Sequence, residues 1–280
     1  MRLAITDLGS NTIRTVLYEN GAPVLNTSVF AGVVQYIENE KLSQKGVSAI
    51  LQAFSTLSPH YTSAEMHIAF ATASLRGLQN STAIINEIRE KTGVFVRLLS
   101  AEEEARYDYL GLMRAKSVKE GIGGDLGGGS MQLYTFSERG LGSYCSLPLG
   151  SMRLRCAFSE GDMPSPSESV AIKAHVLAQL KTNSAFLNAG YETLYLTGGS
   201  IRAIVKLFGK GGRITKDEIH AAIRNVSYER LKTEVGNRAQ TIVPALLTLE
   251  VLLSYTGVMQ IEAVESGVRE GILAELSAKA

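Results

Sequence analysis

Cysteine is scarce in this chain: Cys145 and Cys156 are the only two among 280 residues. Two thiols outside any metal-ligand spacing make neither a disulfide framework nor a thiolate metal site. Histidine is almost as rare. His60, His67, His175 and His220 are scattered, so each reads as a surface or packing residue and not as a ligand. An excess of charge of one sign is missing too. The net charge of +1 argues against bulk attraction to nucleic acid or membrane, and leaves any polyanion to be met by a local cluster. No apolar run approaches the roughly 20 residues that span a bilayer. Arg2-Leu3-Ala4-Ile5-Thr6 reads directly as a strand where a signal peptide would stand, so the expected setting is a bacterial-type cytoplasm.

What is present is an ordinary globular composition, 45% apolar and 20% charged, at a length where single cores divide into two. One stretch organises the rest: Gly121-Ile122-Gly123-Gly124-Asp125-Leu126-Gly127-Gly128-Gly129-Ser130. It reads as a strand ending in a carboxylate, a glycine turn and a second strand that resumes at Met131. Without Cβ atoms, Gly127, Gly128 and Gly129 let backbone N–H groups approach an anion closely. A carboxylate beside bound phosphate makes sense if Asp125 holds a cation or a water between them. The plainer reading is a hairpin of flexible glycines with a capping Asp. Near the N-terminus, Asp7-Leu8-Gly9-Ser10 repeats the Asp-Leu-Gly-small pattern between two more strand-like stretches. Two similar halves, each with a phosphate-binding hairpin, would account for the repeat.

Strands are predicted at 2–7, 13–19 and 24–30, with Asn20-Gly21 marking a tight hairpin. A helix at 43–57, a strand at 66–71, a helix at 81–91, a strand at 94–99 and a helix at 101–115 follow. The order βββαβαβα implies a mixed sheet with helices on its faces. The second half restates it with strands near 121–125, 131–136, 141–147, 193–197 and 260–264. Its helices open at the capping boxes Ser165…Glu168 and Thr215…Glu218, run over 238–256, and begin again near 266. The domain junction is expected in the polar connection 116–120, dividing the chain into domains 1–118 and 119–280, with the final helix able to pack back on the first.

Three further clusters have residue types suited to chemistry. Ser100 and Glu103 form a capping box, and Glu102 and Glu103 suit a helix N-terminus. Glu104 caps nothing. It is either surface charge or a carboxylate able to deprotonate water. Arg76 follows a strand in Ala71-Thr72-Ala73-Ser74-Leu75-Arg76, where a guanidinium either grips phosphate or pairs with a nearby carboxylate. Gly198-Gly199-Ser200 is a third glycine turn that opens onto a helix N-terminus.

Taken in order, these runs resemble the exopolyphosphatase / guanosine pentaphosphate phosphohydrolase family of the actin-like ATPase superfamily. The matching segments are Asp7 to Thr12, Ala71 to Arg76, Ser100 to Arg106, Asp125 to Ser130, Leu147 to Leu154, Gly198 to Ser200 and Gly267 to Gly271. The resemblance covers essentially the whole chain. It implies an α/β fold of two actin-like (ribonuclease H-like) domains, each a mixed sheet flanked by helices, with an interdomain cleft, in the short form without extra C-terminal helical domains. It implies that Glu104 is the catalytic base, Arg76 a phosphate ligand, and Asp125 the carboxylate that helps hold Mg²⁺ (or Mn²⁺) and water. Gly9, Ser10 and Asn11 would form the first phosphate loop, Gly127, Gly128, Gly129 and Ser130 the second, and Gly198, Gly199 and Ser200 a third contact. Asp7 and Gln132 join Asp125 as metal candidates. Where the family usually has Gly-Gly-Gly-Ser-Thr-Glu, this chain has Met131-Gln132, and losing a charged ligand should weaken cation binding.

The implied activity is release of terminal phosphate from inorganic polyphosphate by metal-assisted attack of a Glu-activated water. The alternatives are guanosine pentaphosphate 5′-phosphohydrolase, a catalytically weak phosphate- or nucleotide-binding regulator, and a sugar or acetate kinase. Arg14, Arg153, Arg155 and Arg202 are candidates for guiding the substrate or ordinary surface residues. A homodimer is implied by resemblance alone.

Overall fold

The computed structural model describes residues 1–279. Two compact units divide the chain: residues 1–104 together with the chain end from Leu276, and Ala105–Glu275.

The first unit opens with β1 (Arg2–Leu8), β2 (Thr12–Glu19) and β3 (Ala22–Phe30). Asn20 and Gly21 take φ of 49° and 80°, the positive values that a two-residue hairpin turn demands, as their sequence predicts. A minimal ribbon, β4 (Ile37–Glu38) and β5 (Lys41–Leu42), precedes α1 (Gln44–Tyr61). Then come β6 (Met66–Ala71), α2 (Ser81–Thr92), β7 (Val96–Leu98) and α3 (Ala101–Ala115). The sheet order is β3-β2-β1-β6-β7, with β1, β6 and β7 parallel and the first three strands antiparallel. Val47, Ile50, Phe54 and Leu57, at helical spacing on α1, pack into the core with Ala4, Leu8, Ile13 and Leu17. Gly93, at φ 73°, stops α2 in the left-handed conformation.

The second unit repeats the plan. β8 (Gly121–Leu126), β9 (Met131–Ser137) and β10 (Gly140–Leu147) form the antiparallel part. After α4 (Ser151–Phe158) and α5 (Pro166–Leu180) come β11 (Thr193–Thr197), α6 (Gly199–Phe208) and β12 (Arg213–Thr215). The chain ends with α7 (Lys216–Asn225), α8 (Tyr228–Val235), α9 (Ala239–Thr256), β13 (Gln260–Ala263) and α10 (Val268–Lys279). The order β10-β9-β8-β11-β13-β12 matches the first sheet, with β12 added antiparallel at the far edge. Both predicted capping boxes are formed, Ser165 with Glu168 and Thr215 with Glu218. Neither α4 nor α8 is among the predicted helices: α4 is short and weakly periodic, whereas α8, equally short, does carry a helical signal in Tyr228, Leu231 and Val235 behind Ser227 as N-cap.

Alternate residues of β9 face opposite sides of the sheet. Met131 and Leu133 enter the core built around α9, whereas Tyr134 and Phe136 pack with Ala105 and Leu112 of α3. Gly123 makes room for this: a Cβ there would lie 2.4 Å from the Tyr134 ring. That packing draws all but the first turn of α3 into the second unit, so the compact-unit boundary falls at Glu104/Ala105, whereas the polar connection lies at 116–120. The helical run Tyr228–Thr256 is, by length and composition, apolar enough for a membrane span, contrary to the reading of the sequence. It is 78% buried over its apolar window, because its leucines form the centre of the second core.

In the first unit His67 stacks on Tyr61 with centroids 4.3 Å apart, and its Nε2 lies 2.8 Å from Thr6 Oγ1. Burial pushes its pKa down to about 4. The unfolded chain, with a histidine near the ordinary value, therefore binds the proton first as pH falls. Stability from neutral His67 is complete above about pH 6.5 and declines as pH falls towards about 4. Urea unfolding across that range should show the decline, and His67→Gln should flatten it.

Candidate functional site

The Asp-Leu-Gly repeat is structural as well as textual. Asp7 stands opposite Arg14 in the β1–β2 ladder, and Asp125 stands opposite Gln132 in the β8–β9 ladder. In each turn the glycine after Leu folds back: Gly9 N–H donates to Thr12 O at 3.2 Å and Gly127 N–H to Ser130 O at 3.0 Å.

In the first unit, two backbone bonds, from Ala31 and Gly32 N–H to Asn11 O, and one from Val34 N–H to Ser10 O, hold the first loop. The Asn11 side-chain Oδ1 is buried and receives no hydrogen bond from any described residue. The Ser74 hydroxyl donates to Leu8 O and so ties the segment after β6 to this loop. Within that segment Arg76 reaches Glu104. Its Nη2 donates to Glu104 Oε2 at 2.7 Å and its Nη1 to Leu99 O at 3.1 Å. The Glu104 side chain is 4% exposed and that of Arg76 is 22% exposed. Surface charge is therefore not the role of Glu104. The capping box beside it is formed as the sequence predicts, with Glu103 N–H donating to Ser100 Oγ at 3.1 Å. The Ser100 backbone N–H, donating to the Glu103 carboxylate, holds that carboxyl below the ordinary range.

In the second unit, the N-terminus of α4 braces the loop Gly127–Ser130. Ser151 N–H donates to Gly127 O, and Met152 and Arg153 N–H donate to Gly128 O, all at 2.9–3.0 Å. Arg153 Nε adds a bond to Gly129 O at 2.8 Å, so this arginine supports the loop. The approach is tight: a Cβ on Gly150 would lie 2.3 Å from Gly129 and Ser130 backbone atoms. With the loop carbonyls turned into α4, the N–H groups of Gly128 and Gly129 make no hydrogen bond to any described residue.

β11 runs parallel to β8 with Thr197 beside Asp125, which brings Gly198 against the same carboxylate. Gly198 has φ +118°, and a Cβ there would meet Leu126 O at 2.4 Å and Asp125 Oδ1 at 2.9 Å. Gly198→Ala is therefore expected to lower the melting temperature, by strain of about 1–3 kcal/mol or more, and to displace Asp125. Calorimetry would measure the first effect and metal titration the second. Gly199 opens α6, and no side chain caps that helix. The Arg238 guanidinium packs on Gly199, whose Cβ would lie 2.1 Å from Arg238 Nη1. Burial, then the nearby Arg202, lowers the Arg238 pKa. Two guanidiniums at the positive end of a helix are an arrangement that an anion relieves. Ser200 is buried and its Oγ lies 3.3 Å from Ser151 Oγ, linking this turn to α4.

The metal candidates differ in setting. Among the described residues no group of three His, Cys, Asp or Glu side chains could hold a metal. Asp125 and Gln132 are ladder partners, and Gln132 Oε1 is buried with no donor among the described residues. An acceptor oxygen without a donor, next to a carboxylate, fits a hard divalent cation. Asp7 faces a guanidinium-bearing residue instead.

The family model described as the Ppx/GppA phosphatase family matches residues 32–280. The chain belongs to that family. The match leaves the first loop outside it, but relatives extend further. "Exopolyphosphatase 1" of Mycobacterium tuberculosis is 25% identical over 301 residues, covering 98% of this chain and 87% of that protein. "Exopolyphosphatase 1" of Mycobacterium leprae is 26% identical over 98% of this chain and 88% of its own length. Among solved structures, an exopolyphosphatase from Cytophaga hutchinsonii superposes with a TM-score of 0.86 at 17% identity, over 100% of this chain and 99% of that one. The Aquifex aeolicus Ppx/GppA family member gives 0.76 at 20% identity, over 100% and 98%. The fold is thus the actin-like one of Ppx/GppA proteins, and the protein is a phosphoanhydride hydrolase.

Sequence motifs pointed to the loops, Arg76 and Glu104, and not to Arg238 or to the bracing by α4. Arg238 precedes a long apolar helix with nothing around it to mark a site. Gly150 and Ser151 lie in a run matched to the family, although their bracing contacts depend on residues of a distant turn.

Proposed function

We propose that this Ppx/GppA protein is an exopolyphosphatase that releases the terminal phosphate of inorganic polyphosphate. The observation that carries the reading is the buried Glu104 carboxylate held at 2.7 Å by Arg76. An ionised carboxylate with a fixed orientation is suited to act as a general base. Glu104 would take a proton from water as the water oxygen bonds to the terminal phosphorus. The bridging P–O bond would break, and the shortened chain would leave with the electron pair. Within the first unit, Arg76 beside Glu104 is the donor suited to the phosphoryl oxygens, whose charge is the main burden of such a transition state; within the second unit, the Gly128 and Gly129 N–H groups are suited to an anion. A divalent cation such as Mg²⁺ or Mn²⁺, held by Asp125 and the Gln132 carbonyl oxygen, would supply charge compensation to an anion at the second loop. Arg238 and Arg202, with the open α6 N-terminus, form the cationic patch that suits the rest of a polyanion.

The substrate assignment draws on the mycobacterial relatives named exopolyphosphatase. Phosphate release from long-chain polyphosphate and from guanosine pentaphosphate, with Mg²⁺, Mn²⁺ or chelator, tests it. Polyphosphate is expected to be cleaved with the higher kcat/KM. A reversed ratio would replace it with guanosine pentaphosphate hydrolysis. No release with either metal would favour a phosphate-binding regulator.

A further inference from the structure

Gln132 makes an arrangement that its position opposite Asp125 does not require. The residue is 1% exposed. Its Nε2 donates to Ser130 Oγ at 2.7 Å and to Ser146 Oγ at 3.2 Å, and its Oε1 is left without a donor. Direction matters here. A carboxylate at this position has no proton to give and would accept the Ser130 hydroxyl proton. An amide does the reverse. With its oxygen already accepting from Gln132, Ser130 must send its own proton elsewhere, and no described residue accepts it. Ser130 closes the loop whose Gly128 and Gly129 N–H groups are likewise unspent. The amide therefore adds a third donor to an anion cradle, and it keeps a second negative charge out of it.

We propose that Gln132 adapts the second loop to hold a phosphoryl anion in the absence of a divalent cation, with Ser130 as its donor. This rests on the reading of that loop as a phosphate cradle. Two carboxylates side by side would repel phosphate until a cation stood between them, so binding of anion and metal would be obligatorily coupled. With one carboxylate and one donor-directing amide, the coupling is loosened: the anion can enter first and the cation binds weakly. Gln132 is on this account a positioning residue, acting through Ser130 on the anion and through its Oε1 on the cation.

The test uses the whole chain and two probes, pyrophosphate and Mn²⁺. Pyrophosphate binding is measured by calorimetry in chelator and in Mg²⁺, and Mn²⁺ binding by electron paramagnetic resonance, for wild type, Gln132→Glu and Ser130→Ala. Wild type should bind pyrophosphate in chelator within a few-fold of its affinity in Mg²⁺. Gln132→Glu should lose about tenfold or more in chelator, the factor one hydrogen bond to a charged group is worth, and recover in Mg²⁺. It should also bind Mn²⁺ about tenfold more tightly, through the added ligand charge. Ser130→Ala should share the loss in chelator without the gain in Mn²⁺ affinity. Thermal unfolding of each variant establishes that it is folded. Equal pyrophosphate binding by wild type and Gln132→Glu in chelator, or no binding by wild type there, overturns the proposal. Such a result beside active polyphosphate cleavage leaves the hydrolase reading standing. Metal-free binding without any cleavage would reject the hydrolase reading and keep this one.

Discussion

Glu104→Gln is expected to lower phosphate release about 10²–10⁴-fold, the range that a positioned general base contributes, while the protein stays folded. The amide retains an oxygen that can accept from Arg76 Nη2, and so preserves the 2.7 Å contact in geometry. It cannot take the proton of the attacking water. The neutralised pair leaves the Arg76 charge unmatched, but that side chain is 22% exposed and keeps some access to water. The expected result is thus a catalytic defect with a melting temperature close to wild type and nearly unchanged pyrophosphate binding. Stopped assays of phosphate release alongside calorimetry would separate these quantities. Release that survives the substitution would remove Glu104 from the role of base.

Arg76→Ala should be worse in both respects. It removes the guanidinium that a phosphoryl group would meet, and it leaves a carboxylate that is 4% exposed without this partner. Breaking a buried pair by deleting one member typically costs about 3–5 kcal/mol, because the remaining charge is poorly solvated. Arg76 also donates to Leu99 O at 3.1 Å, so the start of α3 loses a second tether. A large fall in melting temperature is therefore expected together with loss of activity. The double variant Arg76→Ala/Glu104→Gln should regain much of the stability and none of the activity, since no buried charge is then stranded. If the double variant is no more stable than Arg76→Ala, the pair is not the source of the cost. Arg76→Lys should be intermediate in stability: an ammonium can approach Glu104, but it cannot hold the carboxylate and Leu99 O with one planar fork.

Much of the fold was readable because its signals are local. Asn20-Gly21 demands positive φ at adjacent residues, Ser165…Glu168 and Thr215…Glu218 cap helices within four residues, and Gly93 and Gly257 end helices by adopting the left-handed conformation. The Asp-Leu-Gly repeat announced two hairpins of the same form. The apolar helix predicted over 238–256 forms as Ala239–Thr256, and its depth in the core depends on α4, α5, α6 and α7 packing around it. For Arg76 the sequence left phosphate binding and a salt bridge as rivals. The structure brings it onto Glu104, and a guanidinium with several donors is suited to both.

By itself the sequence determined where the strands, turns and glycine loops lie, and which carboxylates and arginines stand at their ends. Those properties depend on backbone preferences and on side chains a few residues apart. Only the tertiary structure decided that Glu104 is buried against Arg76, that α4 turns the carbonyls of Gly127–Gly129 inward, that Arg238 rests on Gly199, and that Gln132 donates to Ser130. Each of these brings together groups from separate elements. The direction of a hydrogen bond or the exposure of a charge is fixed by neighbours that the chain supplies only after it has folded.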